Sequence, residues 1–127
     1  MSEGTALSGT VIAIVGTGSD LDRAIAVACG EAGADLALGT ESEAREHDYG
    51  MNSIANEIWA IGRAHSVRVL TGPDDIGNLV RDARSWLGRC DAVVSRWELG
   101  EVEGVPVVAP DATGEGTLAR LVTMLGR

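Results

Sequence analysis

Short apolar runs alternate along this chain with stretches of helical periodicity, and that alternation restricts the fold more than any other feature. Residues 10–15 (TVIAIV) are a β-branched run ending in glycines, as expected of a strand buried on both faces. Leu21, Ile25, Ala28 and Cys29 then recur at helical spacing, and Gly33 supplies a stop. Residues 34–38 (ADLAL) read as a second strand, and the polar segment 39–50 as a loop. Met51, Ile54, Ala55, Ile58 and Ile61 mark a second amphipathic helix that ends near Gly62. Residues 66–70 (SVRVL) predict a third strand. Pro73, Asp74 and Asp75 open a third helix, because proline suits the first turn and carboxylates suit the positive end of the helix dipole. The buried face of that helix is Ile76, Leu79, Val80, Ala83 and Leu87. Residues 91–94 (DAVV) and 105–109 (VPVVA) predict a fourth and a fifth strand, and 116–125 a closing helix.

Strands that alternate with helices imply a parallel sheet covered on both faces, joined by right-handed crossovers. The expected architecture is a Rossmann-like three-layer α/β/α sandwich on a five-stranded, mostly parallel sheet in the order 3-2-1-4-5. It forms one domain over residues 1–127. The link 95–104 lies at the short limit for a parallel crossover, so the direction of the fifth strand stays open.

Composition narrows the function classes. A net charge of −9 opposes binding to nucleic acid or to an anionic membrane surface, both of which need clustered cations. No apolar run approaches the ~18 residues of a membrane span. The opening MSEGTALSGT lacks the basic-then-apolar order of a secretory signal, so the expected location is cytoplasmic. All 10 basic residues are arginine, and lysine is absent. Cys29 and Cys90 sit in apolar stretches without ligand spacing and read as reduced thiols. A zinc site would need more cysteine and histidine, and no metal is expected.

Two regions carry a resemblance. VIAIVGTGSDLDRAIAVACGEAGADLAL and LTGPDDIGNLVRDARSWLGRCDAVVS occur in the order and at the separation found in the short-chain dehydrogenase/reductase family. The first is similar to that family's first strand, glycine loop, first helix and second strand, and Arg23, Ala24, Ile25 and Ala26 match its phrase RAIA. The second resembles its third helix and fourth strand. The likeness runs from Val11 to about Ser95 and implies a dinucleotide-binding fold. It reads as a truncated and degenerate family member, because nothing after Ser95 matches the long helices that build the family's dimer interface.

Four departures bear on function. The family's loop is T-G-x-x-x-G-x-G. Its positions fall here on Val15, Gly16, Thr17, Gly18, Ser19, Asp20, Leu21 and Asp22, so Asp20 and Asp22 replace two glycines. Those glycines let the backbone approach a pyrophosphate at the helix N-terminus. Ser19 with Asp22 three residues on has the form of a capping box. A carboxylate ~4 Å from a phosphate costs up to roughly 4 kcal/mol at an effective dielectric near 20. Two such terms offset most of a micromolar affinity of about 8 kcal/mol. In the other departures, the adenine-side aspartate of the family falls on Val69. Its NNAG becomes Ser95, Arg96, Trp97 and Glu98. Its Y-x-x-x-K pair has no counterpart, since the sole tyrosine is Tyr49 and there is no lysine. The degenerate loop Gly16, Gly18, Asp20 and Asp22 is therefore expected to bind no NAD(P), and no catalytic residue is assigned.

Other constellations have ordinary readings beside functional ones. His47, Asp48 and Tyr49 form a polar cluster, and His65 precedes the third strand; solvated surface groups explain them. Asp20, Asp22, Asp74 and Asp75 gather at strand carboxyl ends, where they suit a hard cation or, more simply, cap helices. Trp59, Trp86 and Trp97 stand out in a chain that is 3% aromatic. Trp86, Trp97 and Arg96 are the interface candidates, with helix-edge packing as the alternative for the indoles. The expected function is a non-catalytic subunit resembling a dehydrogenase, in a hetero-oligomer with a catalytic enzyme or in a homo-oligomer. The alternatives are a small non-redox enzyme or ligand-binding protein using Asp20, Asp22 or His47, and a true NAD(P)-binding oxidoreductase component.

Overall fold

A computed structural model describes residues 6–125. The elements run β1 (Val11–Gly16), α1 (Asp20–Glu31), β2 (Asp35–Thr40), α2 (Arg45–Ala60), β3 (His65–Val69), α3 (Ile76–Leu87), β4 (Ala92–Val94), β5 (Glu101–Val102), β6 (Val105–Val108) and α4 (Gly114–Leu125). A single 3₁₀ turn, Pro73–Asp75, precedes α3. The sheet order is β3-β2-β1-β4-β6-β5. Every pairing is parallel except β5 with β6.

The Rossmann-like layering is present. One core holds Ile12, Ile14, Leu36 and Leu38 of the sheet with Ile25 of α1, Ile54 and Ile58 of α2, and Leu121 of α4. On the opposite face, Val11, Ala13, Val15 and Ala37 pack against Ile76, Leu79, Val80 and Ala83 of α3. Alternate residues of β1 thus serve the two cores, as a central strand requires.

Two expectations need correction. Among the described residues the sheet has six strands, not five. The strand expected as the fifth, β6, lies parallel to β4, with Val93 opposite Val107. The additional strand β5 runs antiparallel at the outer edge, with Val102 opposite Val105. The turn between them is Glu103-Gly104, with φ of 53° and 79°. Positive φ at both turn positions matches the twist of a two-residue hairpin. The chain leaves β4, descends along the edge as β5, and turns up between the two as β6. A short link thereby makes a parallel pairing without a crossover helix. In its place Trp97, Leu99 and Val102 pack against the α3-side core.

The segment 39–50 is also not one loop. Gly39 and Thr40 extend β2 because β3 offers them Arg68 and Val69 as partners. Helix α2 begins at Arg45, so His47, Asp48 and Tyr49 lie in its first turns. Gly50 is where α2 crosses the β1–α1 loop. A Cβ on Gly50 would meet Gly18 Cα at 2.8 Å, and Gly18 itself has φ +84°. Only glycines permit that contact.

Candidate functional site

The carboxyl ends of β1, β2 and β4 meet in a cleft of about 270 Å³ lined by Thr17, Asp22, Glu41, Arg96 and Pro110, among others. Open α/β sheets bind ligands at this edge, beside their central strand. What distinguishes the cleft is that its polar groups are already paired with one another.

The β1–α1 turn shows how. Ser19 is the N-cap of α1, its hydroxyl accepting the Asp22 amide at 3.1 Å. Asp22 completes the capping box by reaching back. One carboxylate oxygen, Oδ2, accepts from the amides of Thr17 at 2.9 Å, Gly18 at 3.1 Å and Ser19 at 3.1 Å. Successive amides converging on one point form an anion nest, the arrangement that takes a phosphate oxygen at a strand-to-helix turn. Here the anion belongs to the chain. The Asp22 carboxyl also fills the space a side chain would need at Gly16. Asp22 thus occupies the position that a phosphate oxygen takes in such a nest. Asp20 is exposed in the first turn of α1.

Across the cleft, Glu41 follows β2 and is buried at 8% exposure. Arg96, two residues past β4, donates from Nε to Glu41 Oε1 and Oε2 at 2.9 and 2.8 Å, and from Nη2 to Oε1 at 2.8 Å. Those hydrogen bonds, and then the carboxylate charge, raise the Arg96 guanidinium above its ordinary value. Glu41 was absent from the sequence expectations. The signal was available: an acid directly after β2 and an arginine after β4 flank β1 at the point where the strand order reverses.

The remaining candidates separate. Asp75 is buried and faces α3. The Asn78 hydrogen bond first, with the Thr71 amide and the Arg68 charge, holds its carboxyl below the ordinary range against the opposing effect of burial. Among the described residues, no group of three or more His, Cys, Asp or Glu side chains is placed to hold a metal ion. His47 Nδ1 pairs with the Ser42 hydroxyl at 2.8 Å, and Tyr49 is exposed. Cys29 is buried and Cys90 half-buried, both as free thiols. Burial pushes Cys29 up to about 12; burial and the Asp91 charge push Cys90 up to about 11. Neither is a thiolate near neutral pH, so neither is an activated nucleophile. Trp97 is half-buried against the α3-side core, whereas Trp59 and Trp86 are exposed. The bulky residue in place of the family's small one is therefore a core plug.

Fold and turn together define a Rossmann-like α/β domain whose phosphate nest is filled by its own aspartate. No protein-family model matches the chain, and no curated protein matches its sequence. Among solved structures it is similar to a short-chain type dehydrogenase/reductase from Mycobacterium marinum, at 28% identity and TM-score 0.57 over 69% of this chain and 34% of that one. It is also similar to a putative short-chain alcohol dehydrogenase from Sinorhizobium meliloti 1021, at 26% identity and TM-score 0.55 over 69% and 34%. A blue fluorescent protein from a metagenomic library, solved in complex with NADPH, shares the fold at 23% identity and TM-score 0.62 over 70% and 36%. The chain resembles short-chain dehydrogenases/reductases and spans about a third of the length of these structures. No described helix is long and apolar enough to cross a membrane.

Proposed function

We propose that this chain is a non-catalytic subunit with a dehydrogenase-like fold, which associates with a partner enzyme and supports its assembly or active site. The observation that carries the reading is the single oxygen of Asp22 on the amides of Thr17, Gly18 and Ser19. A domain that satisfies its own phosphate-binding amides has no free donors there for a dinucleotide, and a competing phosphate must also overcome charge repulsion. The expected cofactor is none, the expected partner a catalytic subunit, and nucleic acid and membrane are not expected partners at a charge of −9.

Two measurements test this. Titration with NADH and NADPH, read by energy transfer from the tryptophans, is expected to show no saturable binding; micromolar binding would overturn the account of Asp22. Co-purification with enzymes encoded beside this chain is expected to give a stable complex of defined mass. A chain that ignores all of them ends the subunit reading.

The cleft itself favours a second reading, in which a small non-redox enzyme or ligand-binding protein uses the space between Asp22 and the Glu41–Arg96 pair. It predicts that Asp20→Ala or Asp22→Ala abolishes an activity or a ligand signal without altering assembly.

A further inference from the structure

The β3 edge of the sheet plays no part in the cleft. The Leu36 amide donates to Ala64 O at 3.1 Å, and the Leu70 amide to Thr40 O at 2.8 Å. A parallel ladder alternates, so Ser66, Arg68 and Leu70 turn their backbone groups toward β2, and His65, Val67 and Val69 turn theirs outward. The outward groups have no partner among the described residues. Trp59 ends α2 on one face of the sheet, and Trp86 ends α3 on the other. They are 74% and 76% exposed, and they line one groove with Arg63, His65 and Val67. Natural edges are blunted by proline, bulges or outward charge. β3 (HSVRV) has no proline, and its arginine is folded back onto Asp82 of α3 at 2.9 Å.

We propose that this edge joins two copies of the chain, β3 antiparallel to β3, about a two-fold axis at Val67. The edge is complementary to itself in that register. Val67 faces its own copy and His65 faces the partner's Val69, and all of these residues turn their amides outward. Each such pair exchanges two N–H···O bonds, as the narrow pairs of an antiparallel ladder do. The side chains agree with the backbone. Val69 is 39% exposed at one end of the strand, and the two indoles stand near His65 at the other. Antiparallel pairing brings each Val69 to the opposite copy's indoles.

The size of the contact sets its strength. The indoles expose about 300 Å² per copy, against roughly 800 Å² per partner in a standard interface. The strand edges add to that, and the total lies at the small end, so the dimer is concentration-dependent. Each copy carries −9, and screening that repulsion with salt strengthens the contact.

Light scattering across a dilution series tests the proposal. The expected mass is twice 13.1 kDa at high concentration, falling to 13.1 kDa on dilution. Val67→Pro removes an outward amide and no bond to β2, and is expected to abolish the dimer while leaving the far-ultraviolet circular dichroism unchanged. Trp59→Ala with Trp86→Ala is expected to weaken dimerisation at least tenfold. A wild-type chain that is monomeric at every concentration overturns the proposal, as does a dimer that survives both sets of substitutions. A monomer whose tryptophan emission shifts only when a different protein is added also overturns it, and gives the edge to that protein. The proposal goes beyond the partner-enzyme reading, and either can fail alone.

Discussion

The carboxyl end of β1 and the open edge of β3 belong to one sheet and treat their backbone donors in opposite ways. At β1, three consecutive amides converge on Asp22, and the Glu41 carboxylate is clasped by Arg96. At β3, the amides of His65, Val67 and Val69 point outward, and two exposed indoles flank the His65 end of that edge. Unsatisfied donors beside exposed apolar surface mark where a chain meets something else. Donors satisfied from within mark where it stabilises itself. In a fold whose ligand edge lies at strand carboxyl ends, this chain pairs the β1–α1 amides there from within and leaves the outward amides of β3 unpaired among the described residues.

The largest expected effect comes from forcing the closed region apart. Gly18→Val places a Cβ on the backbone of Gly50 at a positive φ, so neither α2 nor the loop can keep its position. Urea denaturation is expected to show a loss of about 3 kcal/mol or more. An unchanged midpoint would mean that α2 does not lie on the loop.

Asp22→Ala sharpens the comparison more directly. It removes the N3 half of the capping box with its bonds to three backbone amides and should cost about 2 kcal/mol. It also vacates the nest, so inorganic phosphate or sulfate is expected to raise the melting temperature of the variant and not of the parent. A variant that ignores both anions would show that the amides do not form a nest once Asp22 is gone.

Glu41→Gln should cost less than half as much as Asp22→Ala, and that cost should shrink in high salt, because its arginine partner is largely exposed. Equal losses at both salt concentrations would mean that the Glu41 contribution is packing rather than charge.

Asp75 gives a separate pH signature, to which the charge of Arg68 on β3 contributes. Its folded carboxyl is held below the ordinary 3.8, so the folded state binds fewer protons than the unfolded one. Its contribution is complete above that value and is lost as pH falls through it toward the folded value. Asn78→Ala removes the largest cause and should flatten that acid limb slightly, as read from denaturation midpoints on either side of 3.8. The smallest effect belongs to the open edge. Trp59→Ala should change monomer stability by no more than about 0.5 kcal/mol. A larger loss would make that indole part of the fold.

Much of the β1–α3 region was legible because its determinants are local. The β-branched run of β1, the Ser19–Asp22 spacing and the apolar stripe of α3 announce themselves within a few residues. The capping box was visible as a spacing, but its consequence was not. That one oxygen of Asp22 would gather three amides depends on the path of the loop from Gly16 to Ser19. The segment 39–50 misled because its polar letters resemble a loop, while Gly39 and Thr40 are ordered by strand pairing and Gly50 by its contact with Gly18. β5 was missed because it is two residues long and exists only as the partner of β6.

By itself, the sequence determined the alternation of strands and helices, the acidic turn and the absence of lysine, since these depend on residue type and near neighbours. Tertiary structure alone decided which carboxylate fills the nest, that Glu41 meets Arg96 across the strand between them, and that Trp97 is half-buried against the α3-side core while Trp59 and Trp86 flank an edge. Those outcomes need residues far apart in the chain to be brought together, and no local pattern encodes a distance across a sheet.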